Sequence, residues 1–237
     1  MAFILRIYQL TSGQEPEGVE SLKALAAALT QRAKARVVLC RQVNDSRQVL
    51  WVGDAGSEAA LERGRRADVP EPSADGLWTA SPPLALGFID EFYHSPPRPY
   101  QVWALEVRVP PEQQLQALKD LLSLSRAARR DPRASGFSLY RGLDAPGVFV
   151  GFLALGWGAT PTSLLCNGLV SPAVSERIAG AGLWRPLALI CELDGARAAE
   201  RAAGDGRTIS PPPFWARSRL SAPEDSLGLQ FTGRDFA

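Results

Sequence analysis

The chain has one histidine, His94, and three cysteines, Cys40, Cys166 and Cys191, in 237 residues. An odd number of cysteines with no close-pair spacing excludes a disulfide framework and a zinc site, so a reducing cytoplasm is the expected compartment. Without clustered Cys, His and carboxylate side chains there is no metal centre to expect, and without a Cys–His neighbour there is no activated thiol. No apolar run approaches the roughly 20 residues that a membrane helix requires. The opening MAFILRIYQL is interrupted by Arg6 and lacks a small-residue cleavage site, so it reads as a strand. Charge of one sign is also missing: 26 basic and 25 acidic residues are interspersed, for a formal net charge of +1. Nucleic acid and anionic membranes are therefore not expected partners. Glycine patches at Gly151 and Gly156-Trp157-Gly158 lack the lysine and spacing of a phosphate loop, and no dinucleotide fingerprint is present.

What the chain does hold is a pattern that recurs half a chain apart. Arg36–Leu61, RVVLCRQVNDSRQVLWVGDAGSEAAL, is echoed by SGFSLYRGLDAPGVFVGFLALGWGATPTSL. Each reads as two strands joined by a tight turn, with Cys40-Arg41 and Tyr140-Arg141 before the turn and Val49–Val52 and Val148–Val150 after it. Further on, Leu77-Trp78 and Pro83–Leu86 are matched by Leu183-Trp184 and Pro186–Leu189, the Pro-Leu-Ala-Leu word being identical. A duplicated unit of about 100 residues is the simplest explanation.

The element order supports it. Phe3–Leu10 is a strand and Thr11–Gly18 a loop. Val19, Leu22, Leu25, Ala26 and Leu29 form a helical stripe ending near Arg32 or Ala35. The hairpin of Arg36–Asp54, a short helix from Ser57, a loop over Asp68–Gly76 and a strand over Leu84–Tyr93 complete a β-α-β-β-α-β unit. The linker is Pro-rich. A strand over Gln101–Val109 follows, with its Trp103, Leu105, Val107 and Val109 face buried. A helix with Leu115, Leu118, Leu121 and Leu122 as its stripe, the second hairpin of Gly136–Leu155, a helical or irregular region through Gly182 and a strand over Pro186–Leu193 repeat the order. The expected division is 1–95 for the first repeat, 96–100 for the linker, 101–195 for the second repeat and 196–237 for a C-terminal arm.

The words VVLCRQVNDSRQVLWVGDAGSEAAL, joining an apolar strand, Arg41, an Asn-Asp turn, a Trp-bearing strand and a Ser-Glu-Ala-Ala helix start, resemble an antibiotic biosynthesis monooxygenase-like domain of the dimeric α/β-barrel superfamily. The second half is similar to a more divergent copy. The resemblance implies an α+β fold: two ferredoxin-like repeats, packed sheet to sheet, forming within one chain the barrel that such proteins build as dimers. It implies a cytoplasmic tailoring enzyme without a cofactor, oxidising or rearranging a small aromatic or polyketide-like molecule, as a monomer or homodimer. The alternative is a noncatalytic hydrophobic-ligand-binding or scaffold protein, since fold does not choose between them. A haem reading needs an axial ligand in the second half, which has no histidine.

Arg41 and Tyr140 are the catalytic candidates, either one holding a phenolate. Trp51, Trp78, Tyr93 and Arg141 are the substrate-binding candidates, and no metal ligand is named. Each has a plainer reading. Arg41 and Arg141 can instead pair with the turn acids Asp45 and Asp144, a role that recurrence in both halves favours, and aromatics on strands are often core. His94, at a strand end beside prolines, reads as a surface residue.

Overall fold

The computed structural model describes residues 2–33, 36–54, 76–94, 100–156 and 158–194. The helix expected from Ser57, residues 68–75 of the loop expected over 68–76, residues 96–99 of the linker expected at 96–100 and the arm at 196–237 lie outside them, while Tyr100 already belongs to a strand. Nine strands are present among the described residues: β1 (Ala2–Leu10), β2 (Arg36–Gln42), β3 (Asp45–Asp54), β4 (Trp78–Ala80), β5 (Leu84–Tyr93), β6 (Tyr100–Arg108), β7 (Ala134–Gly142), β8 (Val148–Gly156) and β9 (Gly182–Asp194). All but β4 close into an eight-stranded antiparallel barrel in the order β3-β2-β9-β6-β8-β7-β5-β1, with β1 returning to β3. The short β4 adds to β1 beside that ring.

The neighbour relations divide into two four-stranded sets, β5-β1-β3-β2 and β9-β6-β8-β7, the strand order of a ferredoxin-like sheet. The sets meet edge to edge, through β5–β7 and β2–β9. Closure therefore comes from hydrogen bonding rather than from two sheets stacked face to face. Without it β2, β5, β7 and β9 would each present a row of unpaired N–H and C=O groups.

Among the described residues four α-helices cover the outside: α1 (Glu15–Ala33), α2 (Gln114–Arg130), α3 (Pro161–Leu165) and α4 (Pro172–Ala181). The described residues form three apolar cores. Inside the barrel Phe3, Leu5, Val38, Leu50, Val52, Leu86, Ala104, Tyr140, Val150, Phe152 and Leu187 pack with no helix residue among them. Between α1 and the first half lie Tyr8, Leu10, Leu39, Val49, Trp51 and Trp78, packed on Val19, Leu22 and Ala26. Between α2–α4 and the second half lie Leu105, Val107, Phe137, Leu139 and Leu153, packed on Leu121, Leu124, Leu164 and Ile178.

Several expectations need correction. α1 begins at Glu15, inside the segment read as loop, because Glu15 and Glu17 suit the positive end of a helix and Pro16 is tolerated in a first turn. β6 is buried on both faces, since Val102 and Ala104 face the barrel interior that closure creates. In α2 Leu115 is exposed, and the buried stripe runs through Leu121, Leu124 and Ala128. The helix ends at Asp131, whose carboxylate receives Arg133 Nη2 at 2.7 Å and Asn167 Nδ2 at 2.7 Å, fastening the region after α3 to the end of α2.

The register fixes which residues of the two halves correspond. Leu5 pairs with Val52 and Leu84, and Ala104 pairs with Phe152 and Arg185. Arg41 pairs with Val49, and Arg141 with Phe149. Even the bulges agree: Ile89 is skipped between Phe88 and Asp90 opposite β7, and Ile190 between Leu189 and Cys191 opposite β2. The identical Pro-Leu-Ala-Leu words do not coincide, however. Ile4 faces Ala85 where Trp103 faces Pro186, so Pro186 occupies the place of Ala85, two residues past Pro83.

Candidate functional site

Alternation along β1 puts Arg6 and Tyr8 on the outer face, away from Phe3, Leu5 and Ile7. Tyr8 is 2 % exposed. Its ring centroid lies 5.1 Å from that of Trp78, edge to face, and 5.9 Å from that of Trp51. Trp78 Nε1 donates to Ser21 Oγ of α1 at 3.2 Å. Arg6 Cζ sits 5.6 Å from the Tyr8 ring centroid, and Arg6 Nε donates to the Ser81 carbonyl at 2.8 Å. Burial pushes the Tyr8 phenol above its ordinary pKa, while the charge of Arg6 and a hydrogen bond to it pull the other way. Arg41 is on the same face: Tyr8 and Arg41 both pair with Val49, from opposite sides, which places them about 10 Å apart at the usual strand spacing.

Two guanidinium nitrogens of this face, Arg6 Nη1 and Arg41 Nε, are buried and have no hydrogen-bond partner. A buried N–H without an acceptor costs about 1–3 kcal/mol, and more on a charged group. The expected pairing of Arg41 with Asp45 is not made. Asp45 accepts the Arg47 backbone N–H at 3.1 Å and lies 3.8 Å from Arg47 Nε.

The structure thus brings Arg41, Trp51 and Trp78 to one face and adds Arg6 and Tyr8, which sequence reasoning passed over. The signal was available in part: Arg6 and Tyr8 are out of phase with the apolar positions of β1, but alternation does not say that helix α1 covers that phase. Tyr140 lies on the opposite side of its sheet. It is 1 % exposed inside the barrel, 4.9 Å from the Phe3 ring and near Phe88 and Phe152. Arg141 is exposed and Tyr93 half-buried at the end of β5. His94 is exposed at that same end, its backbone N–H donating to the Ser135 carbonyl at 2.7 Å.

The second half has a different feature at the corresponding height. A cleft of about 340 Å³ opens between α2, α4 and the end of β6, lined by Val107, Val109, Leu121 and Ile178 with Gln116, Asp120 and Arg177. Asp120 is 4 % exposed and holds Arg177 in a fork, Nε to Oδ2 at 2.6 Å and Nη2 to Oδ1 at 2.8 Å, while Gln116 Nε2 donates to Oδ1 at 2.8 Å. The bond from Arg177 holds the Asp120 carboxyl below its ordinary pKa. Among the described residues no group of three or more His, Cys, Asp and Glu side chains comes together to hold a metal ion.

No protein-family model matches the chain, and no curated protein matches it in sequence. Solved structures share its fold. An anthrone oxidase-like protein superposes with a TM-score of 0.61 at 13 % identity, over 82 % of this chain and 93 % of its own. A protein from Fusobacterium nucleatum described as a monooxygenase gives 0.55 at 8 % identity, over 81 % and 94 % of the two chains. One from Lactobacillus acidophilus gives 0.52 at 8 % identity, over 82 % and 97 %. The fold is that of the monooxygenase-like, ferredoxin-fold proteins to which the sequence bears a resemblance.

Proposed function

We propose that the chain is a tailoring enzyme of the cofactor-independent monooxygenase kind, oxidising a phenolic, polyketide-like aromatic at the outer face of the first half. The observation that carries this reading is the pair of buried, unpartnered guanidinium nitrogens, Arg6 Nη1 and Arg41 Nε, on the face that holds Tyr8, Trp51 and Trp78. A phenolate oxygen supplies the acceptor these donors lack, and charge-assisted bonds in a dry site strongly favour the ionised phenol. The tryptophan rings suit a flat substrate. An electron-rich phenolate reduces O2 by one electron; the radical pair collapses to a hydroperoxide at an adjacent ring carbon, and loss of water leaves a carbonyl there. One oxygen atom is retained, and the other leaves as water with the one hydrogen of that carbon and the proton the phenol gave up on ionising. In this reading the Tyr8 phenol, raised above its ordinary pKa by burial, donates to the peroxide oxygen.

The test is oxygen uptake with phenolic polyketides. Saturable uptake that falls at least tenfold in kcat/KM in Arg41→Ala, with folding unchanged, supports the enzyme. A binding protein is the second reading, favoured by how completely Tyr8, Trp51 and Trp78 are packed together, each less than a tenth exposed. No uptake, with saturable quenching of tryptophan fluorescence by the same compounds, selects that reading.

A further inference from the structure

The cleft of the second half exists because of what is missing there. Tyr8 and Val107 occupy corresponding places, Tyr8 opposite Val49 and Val107 opposite Phe149. Trp78, on β4 opposite Leu10, has no strand-borne counterpart, because β9 starts at Gly182 opposite Val107 and helix α4 precedes it. Two aromatic rings fill the space under the helix layer in the first half. In the second half a valine and the small residues Gly180 and Ala181 line a cavity of about 340 Å³, within the usual range for small-molecule sites.

The walls of the cleft state what would fit. Val107, Val109, Leu121 and Ile178 offer an apolar floor. The polar wall is electrically balanced, since the buried Asp120 carboxylate engages Arg177 through both oxygens. Arg177 Nη1 has no bond to Asp120, so the fork is held rigid with donors to spare. A carboxylate ligand would have to compete with Asp120 for the guanidinium and sit close to a second negative charge; an ammonium would lose its hydration for a carboxylate already engaged. A neutral oxygen acceptor meets neither penalty. We propose that this cleft is a second small-molecule site, for an uncharged, mostly apolar ring compound bearing a carbonyl-type oxygen that accepts from Arg177.

Two probes of one shape test it: 2-acetonaphthone, which is neutral and has no ionisable proton, and 2-naphthoate. Calorimetric titration of the full chain should give saturable binding of the ketone at least tenfold tighter than of the carboxylate. Gly180→Leu should remove ketone binding while leaving the fold intact, because a Cβ at Gly180 enters open space and the residue lies in α4. Ala117→Trp, filling the cleft from α2, should do the same. Asp120→Asn should reverse the preference in favour of 2-naphthoate, because it releases the full charge of Arg177. The proposal is overturned by the absence of ketone binding, by equal affinity for the two probes, or by binding that survives both cleft-filling variants. None of these readouts depends on oxygen uptake at the first half.

Discussion

On the outer face of the first half, β1 and β3 carry Arg6, Tyr8 and Trp51; the corresponding places in the second half carry Leu105, Val107 and Gly151. The backbone frame is the same and the chemistry is exchanged. Where Trp51 spreads over the first sheet, Gly151 leaves a gap that the Phe137 ring enters: a Cβ there would lie 2.9 Å from Phe137 Cε2. Phe137 in turn stands where the first half has Val37. One large and one small side chain have changed strands, and the second half keeps a cleft of about 340 Å³ where the first is filled by Tyr8 and Trp78. Inside the barrel the asymmetry runs the other way. Leu84 and Ile7 correspond to Arg185 and Glu106, which form an ion pair at 3.0 Å. The halves match in backbone, down to the bulges at Ile89 and Ile190, and differ in the side chains of their outer faces.

Severing the halves should have the largest effect. Residues 1–98 alone would leave β2 and β5 with open edges and the barrel-side residues Leu5, Val38 and Leu50 exposed. The fragment is expected to aggregate or self-pair; a monomeric, cooperatively melting fragment in analytical ultracentrifugation and circular dichroism would mean that the halves are independent domains.

Next comes the exchange of volumes. Gly151→Trp should cost about 3 kcal/mol or more, because the ring has to displace Phe137. Adding Phe137→Val recreates the Val37–Trp51 arrangement and should recover at least half of that loss in urea unfolding. If the second substitution only adds to the damage, the correspondence is one of backbone alone.

A smaller effect belongs to Asp131, a fastening of the second half. Bonds from Arg133, set against the cost of burial and helped by Asn167, hold its carboxyl down to about 2. The folded pKa lies below the unfolded one, so the stabilisation is present above the unfolded value near 4 and is lost as pH falls from about 4 to 2. Its size is about 2 kcal/mol. Asp131→Asn should lower stability at pH 7 by that order and flatten the acid limb of the stability curve, and a variant with an unchanged limb would discard the fastening.

How much of this was legible depends on the kind of signal. Local patterns located the eight barrel strands and the body of α1, though neither β4 nor the start of α1, because alternation in Phe3–Leu10 and the spacing of Val19, Leu22 and Ala26 are properties of short windows. Repeated words misled: Leu77-Trp78 and Leu183-Trp184 are not at corresponding heights, since Trp78 pairs with Leu10 and Trp184 with Leu105. Word matching has no access to register, which is set by pairings across the whole chain. For the same reason the sequence does not separate Arg41 from Tyr140, although one faces the helices and the other the barrel interior. Asp120 and Arg177 were invisible because their meeting depends on how α4 docks against α2.

The smallest effects separate Arg41 from Arg141, which occupy matching places and differ only in surroundings. Arg141 is exposed, so Arg141→Met should change stability by no more than about 0.5 kcal/mol. Arg41 keeps a buried Nε without an acceptor, and replacing it by an apolar side chain of similar length removes that unsatisfied donor. Arg41→Met should therefore be neutral or stabilising, by up to about 1 kcal/mol, while weakening the binding of phenolic ligands. A gain in melting temperature joined to a loss of binding is the mark of a group kept for a ligand rather than for the fold. If Arg41→Met destabilises the protein by more than about 1 kcal/mol, its head group makes a structural contribution, and the case for a phenolate at this face rests on Arg6 alone.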